Sequence, residues 1–467
     1  MTPFKTAAAL GALLAATPAL AQHQGHDMGG MPMPAPTPAP APPQHQGHDM
    51  GNVPMPSPAP SSAPAQHQGH DMAGMAMPTG APAQPHAMTG ALGAYPASRE
   101  ASGTAWQPDS SRHGGVHLMA GAWMLMAHAS LTLAYDWQEG PRGDDKLFAS
   151  GMIMGMARRA AGPGTLQLRA MLSPDPLMGR RGYPLLLAAG ETADGVTPLV
   201  DRQHPHDLFM ELSASYSVPL GTGAGFFLYA GLPGEPAFGP PAFMHRLAIA
   251  DSPEAPITHH WLDSTHITFG VVTAGVIVGN VKLEGSRFNG REPDQRRWNI
   301  ETGPLDSTAL RVSWNPTANL SLQASWAHLV SPEQLEPDET STRWSASALW
   351  TWRFGADDWL SATLAWGNRD GAEAVAAEAG LGLGPWTLYG RAEYAQNNEL
   401  TFAGGHHGPT YDVGKVSLGA IRDFRVAPHL RLGLGAQVTQ NFVPAALAPL
   451  YAGDPRGAMA FVRLKLD

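Results

Sequence analysis

The chain contains no cysteine. Disulfide stapling and lipid attachment at an N-terminal cysteine are therefore excluded, and a thiophilic metal would have to be held without thiolates. Long apolar runs are also missing: beyond the first 21 residues no stretch of about 18 apolar residues exists, so no helix is available to cross a bilayer. Positive charge is scarce. No Lys or Arg stands between Lys5 and Arg99, the formal charge is −10, and there is no basic stripe of the kind nucleic-acid binding requires, so DNA and RNA are not expected partners.

Residues 1–21 read as a secretory signal, with Lys5, an apolar stretch over 7–16 and the small-residue site Ala19-Leu20-Ala21. From 22 to 96 the chain is built of Pro, Ala, Met, His and Gly, too poor in β-branched and aromatic side chains to bury a core. It is expected to be a disordered arm, extended by its prolines. Within it the heptapeptide QHQGHDM recurs unchanged at 22–28, 44–50 and 66–72, while the spacers between copies drift. Each copy offers two imidazoles and a thioether: His23, His26 and Met28; His45, His48 and Met50; His67, His70 and Met72. Imidazole suits copper, zinc and nickel, whereas the soft thioether favours Cu(I). Copper, as Cu(I) or Cu(II), is thus the first expectation, with zinc or nickel as alternatives. A low-complexity linker with incidental His and Met is the bland alternative, against which stand the Met-x-Met pairs Met31/Met33 and Met75/Met77 kept in the spacers.

Residues 97–115 form a transition that the sequence leaves unassigned. From 116 to 467 short alternating segments follow one another. In 319–329 Leu320, Leu322, Ala324 and Trp326 share one face and Ser321, Gln323 and Ser325 the other, and 342–354 repeats the pattern with Trp344, Trp350, Trp352 and Phe354. A period of two over roughly ten residues, with aromatics near segment ends, is the signature of transmembrane strands. Connections alternate between short ones, such as Gly279-Asn280 and Gly384-Pro385, and long polar ones at 173–205, 233–265, 286–305, 331–340, 368–373, 398–410 and 441–456. The expected fold is all-β: an antiparallel up-and-down transmembrane β-barrel of about 16 strands preceded by the disordered arm. Such a barrel belongs in the bacterial outer membrane among lipid and lipopolysaccharide, with the arm in the periplasm. A soluble β-sandwich also alternates, but its second face should not be so rich in Ser, Thr, Gln, Arg and Glu.

Two loop ends carry clustered ligands: His204, His206 and Asp207 in QHPHD, and His259, His260, Asp263 and His266 in HHWLDSTH. Each stands where a long loop enters a strand, so the two sets could converge at the barrel mouth or inside it, with His245, His406 and His407 as further candidates. Separate loop histidines bonded locally are the alternative, because no spacing here dictates one geometry. Acids such as Glu333 and Glu336 read as solvated loop residues, and inward Arg311, Arg343, Arg391 and Glu393 as ion pairs filling a polar interior. No Ser elbow and no HExxH occurs, so an enzyme is not expected.

The signal, the HxxHDM and MxM elements of the arm and the barrel together resemble the copper-resistance protein B group of outer-membrane proteins; the arm carries the resemblance. It implies periplasmic copper sequestration or export across the outer membrane, with periplasmic metal-handling proteins as partners. The alternative is a general porin or solute channel whose arm is a linker or docking tail.

Overall fold

The computed structural model describes residues 88–111, 114–401 and 407–467. The arm ligands His23, His26, Met28, His45, His48, Met50, His67, His70 and Met72 lie outside the described residues, as does His406.

Sixteen antiparallel strands close into a barrel. In chain order the strands are β1 (Val116–Ala120), β2 (Trp123–Gln138), β3 (Asp145–Ala161), β4 (Gly164–Leu172), β5 (Tyr183–Thr192), β6 (Pro198–Gln203), β7 (Phe209–Gly221), β8 (Ala224–Gly231), β9 (Val271–Val278) and β10 (Val281–Phe288). They continue with β11 (Ser307–Thr317), β12 (Leu320–Val330), β13 (Thr340–Arg353), β14 (Trp359–Arg369), β15 (Ala372–Leu383), β16 (Trp386–Asn397), β17 (Tyr411–Ala427), β18 (Leu430–Phe442) and β19 (Arg456–Leu466). Three of these are not staves. β1 folds back on the start of β2 as a hairpin, and β5 pairs only with β6 in a ribbon carried by the loop after β4. The long segment at 116–137 is therefore a hairpin arm plus one stave. The ladder closes where β19 pairs with β2, from Gly457 opposite Gln138 to Leu466 opposite Ala129.

Side-chain alternation explains why these segments close in this sense. On β11, Leu310, Val312 and Trp314 are 50%, 41% and 49% exposed, whereas Arg311 between them is 1% exposed. Apolar groups face outward and charged groups inward, the reverse of a soluble barrel and the arrangement a lipid surround requires. Exposed Trp314, Trp352, Trp386 and Phe424 lie toward the short-turn end, and Trp137, Trp344, Trp366 and Phe442 toward the other. Two such aromatic belts mark the two interfaces of a membrane.

One connection differs from expectation. The segment 368–373, read as a long polar loop, is a tight turn: β14 runs to Arg369 opposite Ala372, with Asp370 and Gly371 both at positive φ (54° and 94°). Asp-Gly is a dipeptide that accepts two such residues, so the strands extend into the polar stretch and the loop vanishes.

Three segments fill the interior. The ordered N-terminal stretch begins before residue 97: Leu92, Tyr95 and Trp106 pack against Phe227 and Ile277 of the wall. Ser110 donates to the Thr351 carbonyl and Arg99 to Asn280, which ties this stretch to the short-turn end. The loop at 173–208, carrying β5 and β6, and the loop at 232–270 fold inward from the opposite end, so that Leu186, Leu187, Ile257, Trp261 and Leu262 share a buried cluster with Ala365, Ala374 and Ala376 of the wall. Gly367 makes this possible, since a Cβ there would lie 2.4 Å from the Trp261 carbonyl oxygen.

Candidate metal centre in the lumen

Of the inward charges expected as ion pairs, Arg311, Arg391 and Glu393 are paired, whereas Arg343 is held by neutral oxygens instead. Arg311 donates from Nε to Glu284 at 2.9 Å, Arg391 from Nε to Glu393 at 3.0 Å, and Arg343 from Nη1 to the His260 carbonyl at 3.1 Å and to Ser264 Oγ at 2.8 Å. These contacts hold the inserted loops as well as balancing charge. Buried guanidinium groups stay only where carboxylates and carbonyls satisfy them, so the wall dictates where the loop backbone runs.

The loop at 232–270 is gripped most firmly at Arg246, which donates to Asp263 Oδ2 at 2.7 Å and to both Glu378 oxygens at 2.6 and 2.8 Å. The other oxygen of Asp263 accepts from Nδ1 of His259 at 2.7 Å, and the Asp263 carbonyl accepts from Nδ1 of His266 at 2.7 Å. Asp263 thus orients two imidazoles, and the short helix α1 (His259–Leu262) with the turn after it delivers them on one side. Burial opposes ionisation of Asp263, yet Arg246 and the His259 hydrogen bond outweigh it and hold the carboxyl well below the usual range. Both Asp263 oxygens are taken, so its place is behind the imidazoles, fixing which ring nitrogen is free.

The loop at 173–208 supplies the second set. His206 donates from Nδ1 to Asp175 Oδ2 at 2.9 Å, and His204 from Nδ1 to the Pro205 carbonyl at 3.2 Å. Nε2 of His206 then faces Nε2 of His266 at 3.2 Å. A carbonyl can only accept, so His266 carries its proton on Nδ1; an ionised Asp175 asks the same of His206. In that tautomer pair two lone pairs face each other, an arrangement that a shared proton or a metal ion would stabilise. Tetrahedral coordination with metal–nitrogen bonds of 2.0–2.1 Å places two ligand nitrogens roughly 3.3 Å apart, close to the spacing here.

A third group adjoins this pair. One ligand atom each of His204, His260 and Glu292 lie within 4.8 Å of one another. Nδ1 of His260 and Oε1 of Glu292 are buried, 3.8 Å apart, and neither has a hydrogen-bond partner. The ring centroids of His259 lie 5.1 Å from His266 and 5.8 Å from His260, which makes the two groups continuous. Burial pulls His204, His260 and His266 below the ordinary imidazole value, so they are held in the neutral form that ligates metals. Glycine is required at 190, where φ is +123° and a Cβ would stand 2.3 Å from the His260 ring.

Of the loop residues singled out in the sequence, His204, His206, His259, His260 and His266 converge, and Asp263 supports them. Asp207 points aside to Arg297 at 3.2 Å, and burial pushes its carboxyl up to about 6. Sequence reasoning missed Glu292, Asp175 and Arg246, each brought in from a distant position with no motif to mark it. His407 does not join. It bonds Glu336 at 2.6 Å at the rim, where Glu333 completes a separate group of possible ligands and is pushed up to about 8 by burial and by Glu399. These two acids, read as solvated, are instead half-buried beside an imidazole.

Beside the imidazoles lies a cavity of about 180 Å³. Its walls include His204 and His206 at one end and Gln107 of the N-terminal stretch at the other, with Met126, Met152 and Met154 between.

No known family profile and no curated protein matches the chain. Solved structures with a similar outline include OmpF of Salmonella typhi in complex with daunomycin, at TM-score 0.47 and 11% identity over 75% of this chain and 100% of that one. OmpT of Vibrio cholerae gives 0.41 and 9% over 75% and 100%, and a mutant of the Rh. blastica porin 0.37 and 13% over 73% and 100%. The class rests on the chain's own ladder: a closed antiparallel barrel of sixteen strands with an apolar exterior and an interior that holds its charged groups, the architecture of the bacterial outer membrane.

Proposed function

We propose that the protein is a restricted channel of the outer membrane, whose lumen binds and passes a transition-metal cation. The observation that carries this reading is the meeting of His204, His206, His259, His260, His266 and Glu292 inside the barrel, with free ring nitrogens facing one another. Inserted loops and ion pairs leave little room for general diffusion, and a lining of imidazoles offers a dehydrated metal ion what it loses from water. Copper is the first candidate, since the QHQGHDM copies would capture it in the periplasm and present it to the barrel, with zinc or nickel as the alternatives. Metal content and Zn(II) and Cu(II) titration of the purified full chain test this against the variant His204→Ala/His260→Ala. Loss of about one bound ion per chain in the variant is expected, and equal content in both would end the reading.

A solute porin is the second reading, favoured by the strand count and by a loop folded into the lumen after β8. It predicts steady salt conductance in planar bilayers that neither metal nor the histidine substitutions alter.

A further inference from the structure

The inward face of the wall mixes charged and polar groups, such as Arg311 on β11 and Arg391 and Glu393 on β16, with aliphatic and aromatic ones, such as Phe148, Leu329 and Phe461. One sector is set apart by being almost entirely thioether. Met152 on β3, Met171 on β4, Met210 on β7 and Ile267 form a buried cluster, and Met154 on β3 and Met244 of the inserted loop pack against it. All but one of these side chains are methionine. They come from four separate segments, and Ile267 directly follows His266 of the imidazole group.

Methionine is also a pliable filler for irregular cores, and a lone one would need no further account. Filling alone does not explain why three of the five methionines border the cavity. Met152, Met154 and Met244 line it together with His204 and His206, and Met126 and Gln107 extend it toward the short-turn end. The thioether cluster and the imidazole cluster thus face one space.

We propose that Met152, Met154, Met171, Met210 and Met244 form a thioether site for a soft monovalent cation, Cu(I) or Ag(I), placed on the short-turn side of the imidazoles. This deepens the metal-channel reading and relies on it for the direction of passage, though not for the site. Thioether sulfur is neutral and soft, so it binds a d10 monovalent ion while discriminating against Na⁺, Ca²⁺ and Zn²⁺. Ligands from both the wall and the inserted loop hold the ion weakly enough in aggregate to let it leave toward nitrogen donors. A borderline ion such as Zn²⁺ would bind at the imidazoles and bypass the sulfurs.

The test uses the full chain in detergent micelles, labelled with ¹³C at the methionine methyl groups and titrated with Ag(I) or Zn(II). Met154→Leu and Met244→Leu, at the less buried positions, assign cluster resonances by their disappearance and keep side-chain volume nearly constant. Ag(I) is expected to shift the cluster resonances in both the native protein and the His204→Ala/His260→Ala variant, and Zn(II) to leave them in place. In a doubled variant, Met154→Leu/Met244→Leu, Ag(I) affinity at the remaining cluster methyls is expected to fall at least about tenfold, following the loss of soft donors. Cluster resonances that stay fixed while others move with Ag(I) would overturn the proposal. Because the zinc content of the histidine variant is measured separately, failure of the imidazole reading and failure of the thioether site are read apart.

Discussion

The wall and the segments it encloses are built on opposite exposures. Along β9 every second residue faces lipid, so Val272, Val276 and Val278 are exposed while Val271, Thr273 and Ile277 are buried. In the inserted stretch from Ile257 to Leu262 no residue is exposed at all. Loops normally stay at the surface because their backbone has no partners inside. Here the wall provides them: Arg391 donates to the carbonyls of Glu254 and Ala255, and Glu393 accepts from the backbone and hydroxyl of Thr258. The barrel is therefore stable through repeated neighbours, and the lumen through a few charged clamps, so the two should fail separately.

The largest separation is expected at Arg246. Arg246→Leu would strand Asp263 and Glu378 without their cation, a loss of about 3–5 kcal/mol for a broken buried pair. Limited proteolysis should then cut within 241–268 while heat-modifiable gel mobility persists; an uncut loop would show that the clamps are not what holds the insert.

The converse break is a charge on the lipid face. Ala274→Arg, on the outward face midway along β9, is expected to destabilise the barrel by about 2–4 kcal/mol. It should lower the denaturant midpoint of the whole ladder, leaving no state in which the loop alone is released. A midpoint equal to that of the native protein would contradict the assignment of this face to lipid.

Acid should loosen the inserted loops slightly and leave the wall intact. His204, His260 and His266 have folded values below that of an open loop, near 6.5. The open state then binds more protons, so their contribution is whole above about pH 6.5 and is lost as pH falls below it. Asp207, raised to about 6, acts in the opposite sense below that value, since its folded form gains the proton more readily. In metal-free protein, loop cleavage should therefore rise as pH falls through about 6.5 and keep rising, less steeply below about 6 where Asp207 opposes the three imidazoles, with the barrel unaffected. A flat profile would mean that the imidazoles are already solvated.

The staves were legible because period two is a local property, and tight turns such as Gly279-Asn280 announced themselves by composition. The Asp370-Gly371 turn carried an equally local signal, hidden by the polar residues of strands that rise above the membrane. The convergence of QHPHD with HHWLDSTH was legible as an option, through their shared position at loop ends. Glu292 was not, because a single glutamate in a polar loop looks like any other until β10 and β11 place it beside His260. The methionines at 152 and 154 did alternate on one face, and that could have drawn notice; Met171, Met210 and Met244 join them only in three dimensions.

Cysteine-free composition, donor-rich repeats and amphipathic strands of membrane length could be read from the residues alone, because ligand chemistry and side-chain alternation are written in neighbouring positions. Only the tertiary structure decided that the lumen is occupied, that five imidazoles face one another and that thioethers gather beside them. Those outcomes depend on charges and backbone carbonyls separated by tens to hundreds of residues, whose pairing is fixed when the ladder closes and the inserted loops meet the wall.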